Sequence, residues 1–451
     1  MSIDDQFPSE TFCALPWMHL STRPNGHMRV CCTANASGVA VNADSTNKTV
    51  SESGVLRNDD GKPSNLATTG LMESWNNEYM RGVRRMMLNG EKPQSCTKCY
   101  KEEEAGHISK RIWETRKWIK DQGGIESIIE GTGEDGSVAP RIRYIDLRLG
   151  SKCQLACVMC SPHDSSNWVK EYKQIYPTLE NENLKKSMIW EKESGKLAWS
   201  GGSYNWHKKN PKFWDELYET LPHLRQLYFA GGEPLIMKEH YFMLEKLIEH
   251  NKSDVRIQYN TNFSELRYKD KHVFDYWKNF TNVSVGASLD AMGPQAELIR
   301  KGTDWQQTEN NRRRMMAETP HVDFYVSATV SSMNVLHVLK FHRDWVEKGL
   351  IRAKDFNVNI CQSPEWYRVD IFPTWFKEQV IYPAYEQHIA WLEPQDDLKR
   401  ATTGFRSLLN MMQANDASEH WHRFVEETAK LDLVRNENFW DLFPEFEKLK
   451  P

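Results

Sequence analysis

The sequence predicts an α/β chain: a partial (β/α)6 TIM-like barrel, with a cysteine-rich domain before it and a helical extension after it. Three observations predict this. Between residues 141 and 362, six short apolar or alternating runs are mostly separated by helix-length segments, the pattern of parallel strands joined by crossover helices. Five of the nine cysteines lie in the first 120 residues, which sets that region apart. Residues 363–451 carry amphipathic helical spacing and no strand pattern.

The N-terminal domain is placed at residues 1–125. Residues 34–70 are rich in Asn, Ser, Gly and Thr and read as a long loop, or a few short strands with turns. A single helix is expected across 71–90, with Leu71, Trp75, Tyr79, Val83 and Met86 on one face and Gly90 as its stop. The glycine-rich stretch that ends at Pro140 reads as a linker, placed at 126–140.

The barrel strands are expected at 142–148, 226–230, 255–260, 283–288, 323–330 and 356–361. Ligands of parallel α/β sheets and barrels bind beyond the carboxyl ends of the strands. The first strand ends just before Cys153 and the second ends at "AGGEPLI", so both segments fall on that rim. "SSNWVKEYKQIY" reads as the first barrel helix, and the Trp-, Tyr- and Lys-rich insertion that follows, to Leu224, reads as packing outside the barrel. In the extension, Pro444 should break the helical run.

The chain has 451 residues and a net charge of −4, enough for two or three domains and no electrostatic case for nucleic acid. No apolar run approaches the roughly 20 residues that span a bilayer, and the acidic start is not a signal peptide. An odd, clustered cysteine count reads as metal ligation in a reducing compartment, hence the cytoplasm, rather than as a disulfide framework. Fifteen histidines are scattered, and His420 and His422 fall on different helix faces, so they make no shared metal site.

Cys153, Cys157 and Cys160 are spaced C-x3-C-x2-C with no fourth cysteine nearby. A structural zinc site wants four protein ligands, whereas three thiolates suit a centre with one open position. Taken alone, such a triplet is also compatible with zinc, and a lone Gly-Gly is usually only a turn. "SKCQLACVMCSP" after one strand and "YFAGGEPLI" after the next together resemble the radical S-adenosylmethionine (SAM) superfamily. The resemblance continues through "IQYNTNF", "VSVGASLDAMGPQAELIRKG" and "VSATVSSMN", covering residues 141 to about 340.

The resemblance implies that Cys153, Cys157 and Cys160 hold three irons of a [4Fe–4S] cluster, and that the fourth iron takes the amine and carboxylate of SAM. One electron would then cleave SAM to a 5′-deoxyadenosyl radical, which abstracts hydrogen from a substrate. It assigns the methionyl ammonium to the carbonyls of Gly231 and Gly232 and to Glu233, with Pro234 fixing the turn. Ser288 and Arg300 become the carboxylate and ribose contacts, Thr261 and Asn262 line the rim, and Met159 contacts adenine through its backbone. Ser288, Thr261 and Asn262 could equally be ordinary strand-end residues, and Arg300 a surface ion pair.

Cys13, Gly26 and Cys31 are spaced C-x12-G-x4-C, and Cys96 and Cys99 follow as C-x2-C. Spacing alone favours a four-cysteine zinc site. Beside the radical SAM pattern it resembles the twitch and SPASM domains, which implies one auxiliary [4Fe–4S] cluster on Cys13, Cys31, Cys96 and Cys99. Cys32 competes with Cys31 for one ligand position. Such modules usually follow the barrel, and here the module precedes it. Cys361 reads as a buried small hydrophobe, and Asp146 as an interior ion pair with Arg148 or Arg143.

The function so implied is oxidative radical chemistry on a peptide or protein side chain, with a flavodoxin- or ferredoxin-type electron donor. The alternatives are radical chemistry on a small molecule and, in another class, a zinc-stabilised binding protein without catalysis.

Overall fold

The computed structural model describes residues 3–34, 54–104, 108–175 and 204–451, together with the backbone of 188–191 and 196–199. Most of the expected 34–70 loop and much of the insertion before residue 204 lie outside the described residues. The chain packs as two units. The first comprises Met1–Lys152, Leu179–Ile257 and Asn279–Thr281; the second comprises Cys153–Thr178, Gln258–Lys278 and Asn282–Pro451. The expected 141–362 barrel span is therefore shared between them, because strands pair with spatial neighbours wherever they fall in the chain.

In the first unit, strands His19–Thr22, Tyr144–Leu147 and Gln226–Phe229 run parallel in that order, with Ser21 opposite Asp146 and Asp146 opposite Tyr228. The two-residue strand Met28–Arg29 adds antiparallel to the first of these. Strand His19–Thr22 was not expected. All four of its residues are buried, so it lacks the alternation by which a half-exposed strand is recognised.

The expected 71–90 helix is two helices, Leu71–Trp75 and Glu78–Leu88. The break falls where the Asn77 side chain accepts from the Met80 N–H and caps the second helix. The restart rotates the buried face, so Met80 and Met87 are buried where Tyr79 and Met86 were expected. Gly90, at φ +77°, ends the second helix as foreseen.

The 126–140 linker is corrected as well. This stretch holds a helical turn, Glu126–Ile129, and Ile128 and Val138 are buried. Fully buried Arg84 donates to the Pro16 carbonyl (2.8 Å), the Trp75 carbonyl (2.8 Å), the Asn76 side chain (2.9 Å) and the Gly136 carbonyl (3.1 Å). One guanidinium thus satisfies four acceptors and ties the stretch to the N-terminal segment.

In the second unit, Val283–Ala287, Asp323–Val330 and Phe356–Ile360 are parallel neighbours, and strand Arg256–Thr261, which enters this unit at Gln258, lies beside Val283–Ala287. Burial alternates along Arg256–Thr261 and Asp323–Val330. Tyr259, Val285, Phe324, Val326 and Phe356 form the packed face. Helix His337–Glu347 lies against it, with Phe341 on Phe356 (5.7 Å) and Trp345 near Phe324 (6.4 Å). The C-terminal extension is helical, as expected, and belongs to this unit: Phe405 stacks on Phe356 at 5.8 Å and the Tyr385 hydroxyl donates to the Val335 carbonyl at 2.9 Å. Helix Phe439–Leu442 ends before Pro444, which opens a 3-10 turn.

Among the described residues seven buried histidines, His207 included, set an acid limit on the fold. Burial pulls His19, His27, His337 and His342 down to about 4, and His240 and His388 down to about 3. His342 Nε2 donates to the Ala353 carbonyl, so its Nδ1 accepts from His388 Nε2 at 3.1 Å. The unfolded chain protonates these rings near pH 6.5 and the folded chain does not, so stability falls as pH drops from about 6.5 toward 4. The urea midpoint of unfolding should therefore decline steeply between pH 7 and pH 4.5; a flat midpoint over that range would contradict this packing.

Candidate functional site

The C-x3-C-x2-C loop is built by three backbone pairings inside the second unit. Ala156–Cys157 forms a short antiparallel pair with Arg300–Lys301, placing Cys157 opposite Arg300. The Val158 N–H donates to the Ile299 carbonyl at 2.8 Å, and the Cys160 N–H to the Cys157 carbonyl at 3.0 Å, a tight turn that brings the last two thiols together. From outside the loop, Trp168 Nε1 donates to the Cys157 carbonyl (2.8 Å) and Arg435 to the Ala156 carbonyl (2.6 Å).

The sulfurs are surrounded by donors. Cys153 Sγ accepts from the Leu155 N–H (3.4 Å) and from Asn262 Nδ2 (3.6 Å). Cys157 Sγ accepts from Arg300 Nη1 (3.7 Å). Cys157 is buried, and Cys153 and Cys160 are half-buried. The Cys160 thiol donating to it, and the Arg300 guanidinium, outweigh burial and draw Cys157 down to about 7, while Cys160 is pushed up. Thiolates held by N–H donors are the chemistry of metal and cluster ligation.

Arg300 is not a surface ion pair, and its guanidinium does not stand open to a ligand. Its Nε lies 2.7 Å from Asp290 Oδ2, with both side chains buried. Burial alone would lower the guanidinium, but Asp290 and the two thiols outweigh it and hold it charged. Asp290 also accepts from the Thr329 N–H at 2.8 Å. Asp290 was missed as a site residue, although its signal lay in the "SLD" triplet with Ser288.

Asn262 joins the rim to the cysteine loop: its Oδ1 accepts from Gln154 Nε2 at 3.2 Å and from the Ser264 N–H at 3.1 Å. Thr261 is turned to local use, its hydroxyl accepting from the Phe263 N–H at 3.0 Å where Phe263 sits at φ +58°. Ser288 is half-buried and its N–H donates to the Thr261 carbonyl at 2.7 Å. Met159 is half-buried between the last two cysteines.

In the first unit, the Gly231–Pro234 loop packs on the backbone of Ser151–Lys152, the residues that lead into Cys153. A Cβ on Gly232 would lie 2.5 Å from the Lys152 carbonyl oxygen, and the Glu233 N–H donates to that oxygen at 2.8 Å. Gly232 also sits at φ +55°, so a side chain is excluded on both counts. Glu233 is fully buried, and its Oε1 accepts from the Leu235 N–H at 3.0 Å, capping the turn that Pro234 opens. Asp146 forms the expected ion pair with Arg148 (3.2 Å) and also accepts from the Ser21 hydroxyl (2.8 Å).

Cys13, Cys31, Cys96 and Cys99 line one small cavity, together with Lys110 and Arg111. Burial raises all four thiols, and each lies within electrostatic reach of the other three. Cys32 turns elsewhere, toward Lys110, Asp146 and Arg148, with burial pushing its thiol up to about 11. Gly26, at φ +87°, packs against Trp206, where a Cβ would approach to 2.8 Å. Among the described residues no three His, Cys, Asp or Glu side chains converge on a point able to hold a single metal ion. If the cavity holds an iron–sulfur cluster, Cys31→Ser should remove about four irons per chain after anaerobic reconstitution, and Cys32→Ser should remove none. Equal losses in both would contradict this assignment of ligands.

No protein-family model matches the chain, and no curated protein does. Among solved structures the chain is similar to anSMEcpe with bound AdoMet, at 18% identity and TM-score 0.34, covering 56% of this chain and 58% of that one. It is similar to Streptococcus suis SuiB bound to S-adenosylmethionine, at 11% identity and TM-score 0.33, covering 70% and 62%. It is likewise similar to SuiB bound to precursor peptide SuiA, at 11% identity and TM-score 0.33, covering 70% and 63%. The chain thus spans less than two thirds of the length of each. Likenesses this distant carry no residue assignments across.

Proposed function

We propose that the chain is a radical SAM enzyme with one auxiliary [4Fe–4S] cluster, acting by oxidative modification of a peptide or protein side chain. The observation that carries this reading is the three-thiol loop. Its sulfurs take N–H donors from Leu155, Asn262 and Arg300, and the other thiol of the same unit, Cys361, is buried and donates to the Ser363 carbonyl. Three ligands leave one corner of a cube-shaped cluster for a small molecule.

On this reading Cys153, Cys157 and Cys160 hold the cluster, and the Gly231–Gly232 carbonyls take the methionyl ammonium of SAM. Ser288, Thr261, Asn262 and Met159 flank the nucleotide. When bound, the reduced cluster supplies the electron that cleaves SAM and so generates an organic radical. The chain's own residues supply the rest. Asn262 and the Leu155 N–H stabilise negative charge on Cys153, and Arg300 does so on Cys157. Asp290 fixes the guanidinium in that position, and burial of Cys157 keeps water from its sulfur. The Cys13, Cys31, Cys96 and Cys99 cavity would hold the auxiliary cluster, which could accept an electron from a substrate radical.

No helix among the described residues is long and apolar enough to cross a membrane. A cytoplasmic setting and a flavodoxin- or ferredoxin-type donor suit an oxygen-sensitive cluster. The test is anaerobic reconstitution followed by incubation with SAM and dithionite. 5′-Deoxyadenosine should form, and mass analysis of host extract treated in the same way would separate a modified peptide from a modified small molecule. Bound zinc with little iron and no nucleoside would favour the non-catalytic alternative.

A further inference from the structure

The four strands of the second unit have one packed apolar face and one that carries polar side chains. Residues opposite each other in register share a face. Ser284 opposes Asp323, Gly286 opposes Tyr325, Ser327 opposes Asn357, and Thr329 opposes Asn359. Gln258 and Asn260 alternate with buried Ile257 and Tyr259 on the neighbouring strand. Between Asp323 at one end and Ser288 at the other, the described side chains of this face are uncharged and able to hydrogen-bond.

Gly286 marks the centre of the face. A Cβ there would lie 2.8 Å from the Tyr325 hydroxyl and 2.9 Å from Asn260 Oδ1. Both polar groups therefore converge on the space above a residue with no side chain. Neither the Tyr325 hydroxyl nor the Asn260 carboxamide has a hydrogen-bond partner among the described residues, whereas Asn359 is satisfied by Ser327 Oγ at 3.0 Å and the Ala328 carbonyl at 3.1 Å. Burial and the nearby Asp323 carboxylate, against the Arg400 guanidinium, push the Tyr325 phenol up, so it stays protonated and can donate. Both side chains are only half-buried. The face ends at Ser288, whose strand leads on to Asp290 and so to the Arg300–Cys157 pair.

We infer that this face is the substrate-binding wall of the enzyme proposed above, and that the space over Gly286 takes an uncharged carboxamide, of a peptide bond or an Asn or Gln side chain. The Tyr325 hydroxyl donates to the amide oxygen, and the Asn260 Oδ1 accepts from the amide N–H. A carboxylate would lose the second bond and face Asn260 Oδ1 with negative charge. The inference rests on the radical SAM reading for its chemistry, but its geometry does not depend on a bound cluster.

The test uses the full chain with propionamide and propionate as matched probes, which differ only in carboxamide against carboxylate, followed by saturation-transfer NMR and titration. The amide should bind at least tenfold tighter than the carboxylate. Tyr325→Phe and Gly286→Ala should each weaken amide binding by tenfold or more, and should Gly286→Ala not fold, Tyr325→Phe stands by itself because it removes only a hydroxyl. Equal binding of the two probes, no amide binding to the unaltered chain, or amide binding unchanged in a folded Tyr325→Phe variant would overturn the inference. Failure of 5′-deoxyadenosine formation with amide selectivity intact would instead overturn the reading of the cysteine loop and leave this one standing.

Discussion

Replacing Cys157 with alanine is expected to reduce SAM cleavage by at least about a thousandfold while leaving the chain folded. Two facts set that expectation. Cys157 is the buried member of the three-thiol loop, so no water or neighbouring thiol replaces its sulfur. The fold at this point rests on backbone bonds, not on the thiol: Val158 to Ile299, Trp168 to the Cys157 carbonyl, and the Arg300 register all survive truncation. Arg300 keeps Asp290 at 2.7 Å, so no unpaired charge is created. Losing one small buried group costs about 1 kcal/mol. Cys361→Ala serves as the control and should leave cleavage unchanged. The measurements are 5′-deoxyadenosine by chromatography and the unfolding midpoint by circular dichroism. Retained cleavage in Cys157→Ala would contradict the ligand assignment.

Asp290→Ala should be the most destabilising single change in the second unit, by about 3–5 kcal/mol, because it leaves the buried Arg300 guanidinium without a counter-charge. It also removes the acceptor for the Thr329 N–H. Asp290→Asn keeps that acceptor and should lose less. The double variant Asp290→Ala/Arg300→Met should recover part of the loss, since it removes the buried charge as well as its partner. Urea unfolding of the four proteins checks this, and a loss below about 1 kcal/mol in Asp290→Ala would show that water reaches Arg300 after all. Iron content adds a second readout, because Arg300 reaches Cys157 only while Asp290 holds it.

The six expected strands were legible because each is a short apolar or alternating run, and all six form within a residue or two of the expected ends. Strand His19–Thr22 was not, because a fully buried four-residue segment carries no periodicity. The helix over 71–90 misled because Asn76–Asn77 can continue a helix by pattern, yet Asn77 restarts one by capping. The 126–140 stretch looked like a linker from its glycines; nothing local announces that Arg84, more than forty residues away, binds the Gly136 carbonyl.

In the candidate site, spacing grouped Cys13, Cys31, Cys96 and Cys99, and these four line one cavity whose lining does not include Cys32. The roles of Glu233 and Arg300 were not legible. Whether a carboxylate caps its own turn, or a guanidinium turns inward to an aspartate, depends on contacts that spacing does not encode. The Gly286, Asn260 and Tyr325 grouping was invisible for the same reason, since three separate strands meet there.

The central claim is that the cluster on Cys153, Cys157 and Cys160 keeps one iron free for SAM. Electron paramagnetic resonance of the reduced, anaerobically reconstituted chain tests it most directly, with a Cys31→Ser variant removing the auxiliary signal. Adding SAM should shift the g values of the remaining cluster, and SAM carrying nitrogen-15 in its amine should show hyperfine coupling to that cluster. A spectrum that SAM leaves unchanged, in protein with full iron loading, would contradict the account.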